Sequence, residues 1–335
     1  MGGFPIWIRP DTTKIHASMK TSKIAGLPSA ELVDVPIAVV SHVRRLGIPV
    51  FNVRGKIIGP GERTARDTQM VYILADDLAE LLDAFRANLR QLMTAESIPE
   101  YHRAWTLHFV LRHEIALLQG DAAGTELPLG LPVALEALTQ FVLKAARAPG
   151  VLLQISEEDD GGLAAHSLHT AFLTVLLSQA MGVRRPDQLT ALAFGAVFAD
   201  VGLSERDFDG FLGGAETLEV AVPPTHPRRS LEIMRRMGLS PQAAQEAVLR
   251  HHERWDGLGY PDGVAGGDLP ASARYVALAN HFSSLSARRR RGRKGTVGAQ
   301  IAELAQTEGA FEPALQVAFV RLLRQHMPGL SIRRR

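Results

Sequence analysis

His251-His252-Glu253-Arg254-Trp255-Asp256-Gly257-Leu258-Gly259-Tyr260-Pro261-Asp262-Gly263 is the most informative stretch of the chain. It sets two adjacent histidines at the end of an amphipathic helical segment, Pro241 to His252, and follows them with a loop built on glycine, proline and aspartate. Neighbours on a helix point about 100° apart, so an adjacent pair alone does not make a metal site. At a helix end the pair has another use, because helix ends in a packed bundle direct side chains into a shared pocket. The glycines permit a tight reversal after the helix.

Working outward from that stretch, other histidines and one carboxylate stand at the ends of neighbouring helical segments. His166 opens one in His166-Ser167-Leu168-His169, Asp200 closes the next in Phe198-Ala199-Asp200-Val201-Gly202, and His226 precedes Pro227 at a further start. Taken singly, each histidine reads as an ordinary structural residue; the ordered set points to a site. The chain has no cysteine, which removes disulfides, thiol nucleophiles and cysteine-ligated zinc together, so any metal must be held by nitrogen and oxygen. Imidazole with carboxylate suits iron, manganese or zinc, whereas magnesium and calcium prefer oxygen alone. His169, one turn from His166, could reach the same pocket, and His281 neighbours Asn280, but both read as ordinary helix residues ahead of ligands; Asp159 and Asp160, close before His166, read equally as further ligands or as an exposed acidic turn.

The fold expected is mainly α: a C-terminal all-α helical bundle, a small N-terminal β-containing module, and connecting helices. The divisions are 1–95 for the β/α module, 96–130 for a connecting helix and linker, and 131–335 for the C-terminal domain. Val35–Val40 and Ile48–Val53 are β-branched runs bounded by turn residues, and Val53–Ile58 reads as a hairpin turning at Gly55. Helical periodicity then runs through Leu74, Leu78, Leu81, Phe85, Leu89 and Leu92, and a second long helix covers Ile98 to Leu118. After a Gly- and Pro-containing linker at 120–132, helices are expected at about 135–142, 165–181, 187–198, 227–237, 241–252, 270–286, 296–307 and 312–326.

Composition narrows the classes. Of 335 residues, 46% are hydrophobic and 21% charged, enough apolar material for packed cores. No run of about 18 apolar residues occurs and the first ten residues do not form a signal sequence, so a cytoplasmic protein without a membrane span is expected. Arg288 to Arg291 with Arg293 and Lys294 concentrate six basic residues, and removing them takes the net charge from +2 to +2 − 6 = −4. Such a local run argues against a dedicated nucleic-acid surface.

The stretch from His251 to Pro261 closely resembles the signature of the HD-GYP family, bacterial phosphodiesterases that hydrolyse cyclic di-GMP. The likeness continues through Gly263, Gly266, Leu269-Pro270 and Ala273-Arg274, and reaches upstream to His166-Ser167 and Gly195–Gly202, covering roughly residues 130 to 330. It implies an HD-domain bundle and a metal set of Asp200, His226, His251 and His252, with His166 and Asn280 completing a second position. It also implies a bridging and catalytic role for Asp200, and contacts to a cyclic dinucleotide from Arg289 and from Tyr260. The Gly259-Tyr260-Pro261 loop would meet signalling proteins, and a homodimer fits the family pattern.

The chain departs from that pattern at informative places. Where the family has a His-Asp pair, this chain has Ala199-Asp200; a ligand Asp falls at Asn280, a Lys at Leu203, and the Glu of a third metal near Gly162. One divalent ion per chain is therefore expected, iron or manganese ahead of zinc. Loss of the second ion leaves a bound water less acidic and the phosphate less well neutralised, lowering the rate by roughly a thousandfold or more. The expected function is a pseudo-enzyme of cyclic di-GMP signalling that binds ligand or partners. The alternatives are a slow metal-dependent phosphodiesterase and a metal-free scaffold.

Overall fold

A computed structural model of the chain describes residues 32–36, 48–51, 57–58, 70–96, 98–120, 126–159, 162–214, 223–239, 241–290 and 296–327. The β portion is an antiparallel ribbon of β1 (Leu32–Pro36) and β2 (Met70–Leu74), with Leu32 opposite Leu74 and Pro36 opposite Met70. Phe51 bridges both Ile57 and Tyr72, so the flanks of the expected hairpin do approach each other. Its tip at Gly55 lies outside the described residues, as do Asp160 and the basic residues Arg291, Arg293 and Lys294.

The second strand corrects the sequence reading. Leu74 closes β2, and the helix that was expected to include it starts only at Leu78. Val71, Tyr72 and Ile73 are strong strand formers, and Val71 and Ile73 alternate into the core, a period of two that overrides the apparent helical spacing.

Twelve α-helices follow among the described residues: α1 (Leu78–Thr94), α2 (Glu100–Gly120), α3 (Leu131–Lys144), α4 (Ala148–Glu158), α5 (Leu163–Ala180), α6 (Pro186–Phe198), α7 (Glu205–Gly214), α8 (His226–Arg236), α9 (Gln242–Arg250), α10 (Ala271–Arg290), α11 (Val297–Ala305) and α12 (Pro313–His326). Proline in the first turn begins α3, α4, α6, α8 and α12, where its missing N–H costs nothing and its fixed φ suits the helix. Helices α4 and α7 were not anticipated. For α7 a signal was present: Ser204 and Asp207 form a reciprocal cap, Ser204 N donating to the Asp207 carboxylate at 3.0 Å and Asp207 N to Ser204 Oγ at 3.1 Å.

Helix α5 is the axis of the bundle, buried on every side from Leu163 to Ser178 and packed against α2, α6 and α10. Helix α2 is also more enclosed than its charge suggested, with consecutive buried residues from Thr106 to Leu111. The buried hydrophobic residues form one continuous cluster from Ile48 to Met327. Glu114 on α2 is fully buried and accepts from Arg86 on α1 at 2.7 Å and from the Gly130 N–H ahead of α3 at 3.1 Å, tying three segments together. Among the described residues no helix is long and apolar enough to cross a membrane.

Candidate metal centre

Three helix ends, those of α6, α8 and α9, and two further helices, α5 and α10, meet around the Asp200 carboxylate. Asp200 lies just past the end of α6, in a turn closed by Leu203 N donating to Asp200 O at 2.9 Å. His226 is the first residue of α8, and His251 and His252 follow the last residue of α9. The turn approaches α8 so closely that a Cβ on Gly202 would meet His226 O at 2.8 Å, and Gly202 N donates to Ser230 Oγ at 2.9 Å. Glycine at 202 is what lets the carboxylate and the first histidine of α8 reach the same point.

One potential ligand atom from each of Asp200, His226, His251 and His252 lies within 4.8 Å of the others. His226 Nε2 and His251 Nε2 are 3.0 Å apart, and they stand 3.4 and 3.5 Å from Asp200 Oδ1. The other nitrogen of each ring faces a backbone carbonyl: His226 Nδ1 is 2.7 Å from Pro223 O and His251 Nδ1 is 2.8 Å from Val248 O. A carbonyl can only accept, so each Nδ1 carries the proton and each Nε2 presents a lone pair. The pocket is thus lined by acceptors that lack a donor.

A divalent cation satisfies that arrangement. Ligands about 2.1 Å from an ion, at angles of about 90 to 109°, are separated by about 3.0 to 3.4 Å, close to the 3.0, 3.4 and 3.5 Å among His226, His251 and Asp200. Burial first, and then the neighbouring His251 and His226, hold His252 well below the usual histidine range, so it is a neutral imidazole. The residues present therefore fit one metal.

Tyr260 belongs to the same site. Its ring stacks on His252 with centroids 4.7 Å apart and planes 13° apart, and its N–H donates to His252 O at 3.1 Å. A Cβ on Gly259 would fall 2.5 Å from Glu253 Cα and from His252 O, so only glycine lets the loop fold back this far. Glu253, which the sequence reading left without a role, holds the far end of that loop through Oε1, accepting from Asp262 N at 2.7 Å and Gly263 N at 3.1 Å. The Asp262 carboxylate in turn pairs with Arg228 on α8 and Arg250 on α9. The loop is therefore fastened to the two helices that supply His226 and His251.

His166 and Asn280 approach Asp200 from the opposite side, with His166 Nε2 3.1 Å from Asp200 Oδ2. Phe208 of α7 packs on the His166 ring at a centroid distance of 5.0 Å, a contact not read from the sequence. Ala199 and Leu203 are both buried apolar residues. Gly162, at φ +89°, precedes α5, and Glu205 caps the helix there by accepting from Leu163 N at 3.2 Å. His169 packs near Phe282 and His281 against Phe311.

Two sequence expectations sit differently in the structure. Arg289 stands nine residues beyond Asn280, about 13 Å further along α10, and its guanidinium is paired with Glu157 of α4. Asp159 is not an exposed acid. Its side chain is 7% exposed and lies 3.2 Å from His108 Nε2 and 3.3 Å from Arg112 Nε, an ion-pair cluster bridging α2 to the segment before α5.

Comparisons with known proteins agree with this geometry. A family model described as an HD domain matches residues 216–315; His166 and Asp200 lie upstream of that match. The cyclic di-GMP phosphodiesterase response regulator RpfG of Xanthomonas campestris is 30% identical over 174 residues, covering 51% of this chain and 46% of that protein. The 3'3'-cGAMP-specific phosphodiesterase 2 of Vibrio cholerae is 38% identical over 117 residues, 34% of this chain and 22% of the relative. The chain spans less than half the length of these two curated relatives. Bd1817, an HDG"Y"P protein from Bdellovibrio bacteriovorus, shares the fold with a TM-score of 0.65 at 16% identity, over 88% of this chain and 100% of that one. With an HD-domain match over residues 216–315, a His/Asp group at the helix ends and the Gly259-Tyr260-Pro261 loop folded against it, the chain is similar to HD-GYP phosphodiesterases.

Proposed function

We propose that this protein is a pseudo-enzyme of the HD-GYP family, which binds a cyclic dinucleotide of the cyclic di-GMP class at a one-metal site and acts through ligand or partner binding, not turnover. The observation that carries the reading is the asymmetry around Asp200. Its Oδ1 faces a complete set of nitrogen ligands from His226, His251 and His252, while its Oδ2 side offers His166 and a neutral amide, with apolar Ala199 and Leu203 nearby. Three imidazoles and a carboxylate favour iron or manganese over magnesium or calcium.

A divalent ion held there would polarise a phosphate oxygen and acidify a bound water. The chain's own residues do the rest. Asp200 contributes the negative charge, and the Nδ1 bonds to Pro223 and Val248 fix two rings in the ligating tautomer. Tyr260, partly exposed beside His252, offers an aromatic surface to a guanine base. Arg289 would meet a phosphate only by leaving Glu157. The reading places the protein in the cytoplasm, where the Gly259-Tyr260-Pro261 loop would dock signalling proteins and two chains could pair. The complete four-ligand set also supports a second reading, slow metal-dependent hydrolysis.

Calorimetric titration of cyclic di-GMP into manganese-loaded protein, with chromatography of the products, tests this. Saturable binding with turnover at least about a thousandfold below that of a two-metal relative assayed alongside is expected. Turnover matching that relative, lost in Asp200→Asn, overturns the pseudo-enzyme reading, and absence of binding overturns the ligand assignment.

A further inference from the structure

The two oxygens of Asp200 are used differently. Oδ1 faces the nitrogen ligands of the metal-type group, and Oδ2 faces the side-chain amide of Asn280. Asn280 Nδ2 lies 2.5 Å from Asp200 Oδ2 and 3.1 Å from His166 Nε2, which is itself 3.1 Å from Asp200 Oδ2. All three side chains are buried, Asn280 to 5% exposure, and α10 is held against α5 here by Ser283 Oγ donating to His166 O at 3.1 Å.

The orientation of the amide follows from its neighbours. A carbonyl oxygen in the Nδ2 position would set a third acceptor against a carboxylate oxygen and an imidazole lone pair. The NH2 group instead brings two donors, one for Asp200 Oδ2 and one for His166 Nε2, which accepts when the ring carries its proton on Nδ1. A pair of polarised N–H bonds between an anionic oxygen and an imidazole nitrogen does locally what a cation would do. It supplies positive charge to both and fixes the distance between them.

We propose that the Asn280 amide stands in for a second divalent cation, closing the position between His166 and Asp200 by hydrogen bonds and holding Asp200 in its ligating pose for the single ion on the other side. This rests on the one-metal reading above and extends it. The second position is filled by the protein itself, so it stays shut to metal at concentrations that saturate the first. It is also one substitution from opening: Asn280→Asp replaces two donors with acceptors, and His166, Asp200 and the new carboxylate then present three ligands with no counter-charge.

The test is manganese binding by equilibrium dialysis, read together with the melting midpoint as metal is added, for wild type, Asn280→Asp and Asn280→Leu. About one ion per chain is expected for wild type and Asn280→Leu, and about two for Asn280→Asp. Only in Asn280→Asp should the midpoint keep rising with the second equivalent. One ion in both wild type and Asn280→Asp, or two in wild type, overturns this inference and leaves metal binding at His226, His251 and His252 intact. No ion in wild type contradicts the one-metal reading, and this inference with it. A second measurement applies even where Asn280→Asp fails to fold. In zinc-loaded wild type, the side-chain amide protons of Asn280 should stay protected from solvent exchange, as donors to Asp200 and His166. Loss of that protection on metal addition would mean that the amide has turned its oxygen to a bound ion, which contradicts the proposal.

Discussion

His226 Nε2 and His251 Nε2 face each other at 3.0 Å while the opposite nitrogen of each ring is committed to a backbone carbonyl. Two lone pairs at that distance beside a carboxylate oxygen suit a shared cation, and on the one-metal reading a divalent ion takes that place. Replacing one of them removes a direct ligand, so His251→Ala should weaken manganese binding by more than the 10- to 100-fold typical of losing an outer partner. Equilibrium dialysis measures it, and an unchanged affinity would place the metal elsewhere.

Tyr260→Ala separates the ligand site from the metal. Its ring lies on His252 without belonging to the ligand set. Loss of a base-stacking surface costs about 1–3 kcal/mol, so cyclic di-GMP affinity should fall by about 5- to 150-fold with metal content unchanged. Unchanged dinucleotide affinity would remove Tyr260 from the site.

Arg86→Ala tests the anchor between the first two helices. Glu114 is fully buried and depends on Arg86 for its charge partner. Leaving a buried carboxylate alone costs about 3–5 kcal/mol, which should appear as a lower urea midpoint. Urea unfolding within error of wild type would show that Glu114 is already satisfied by Gly130.

His113 gives a pH signature. Burial pushes its imidazole down from the usual 6.5 to about 4, with the Phe109 carbonyl opposing the shift and nearby cations adding to it. A lowered folded-state value means that the unfolded chain binds more protons between these limits. The stabilising contribution is therefore present above about pH 6.5 and is lost as pH falls toward 4, by roughly 3 kcal/mol in full. In His113→Leu the fall in stability over that range should be shallower than in wild type, and equal slopes would contradict the assignment.

The helical half was legible because its information is local. Apolar spacing marked most helices, prolines marked several starts, and His226, His251 and His252 announced themselves by standing at helix ends. What was missed depended on pairing across the chain. The strand Met70–Leu74 borrowed a leucine from the helical pattern and shows its character only against Leu32–Pro36. Asp159 read as a spare ligand or a surface acid because His108 and Arg112, about fifty residues earlier, are brought to it only by the packing of α2 on α5. Asn280 was legible as a departure from a ligand, but its two hydrogen bonds were not, since they require Asp200 and His166 in place.

On the proposed reading a single metal is centred on Asp200. Elemental analysis of purified wild-type protein and of Asp200→Asn, both confirmed folded by circular dichroism, tests it most directly. The expected result is about one iron or manganese per wild-type chain and none in Asp200→Asn. Wild-type protein without metal after reconstitution, or metal retained at the same level in Asp200→Asn, would contradict it.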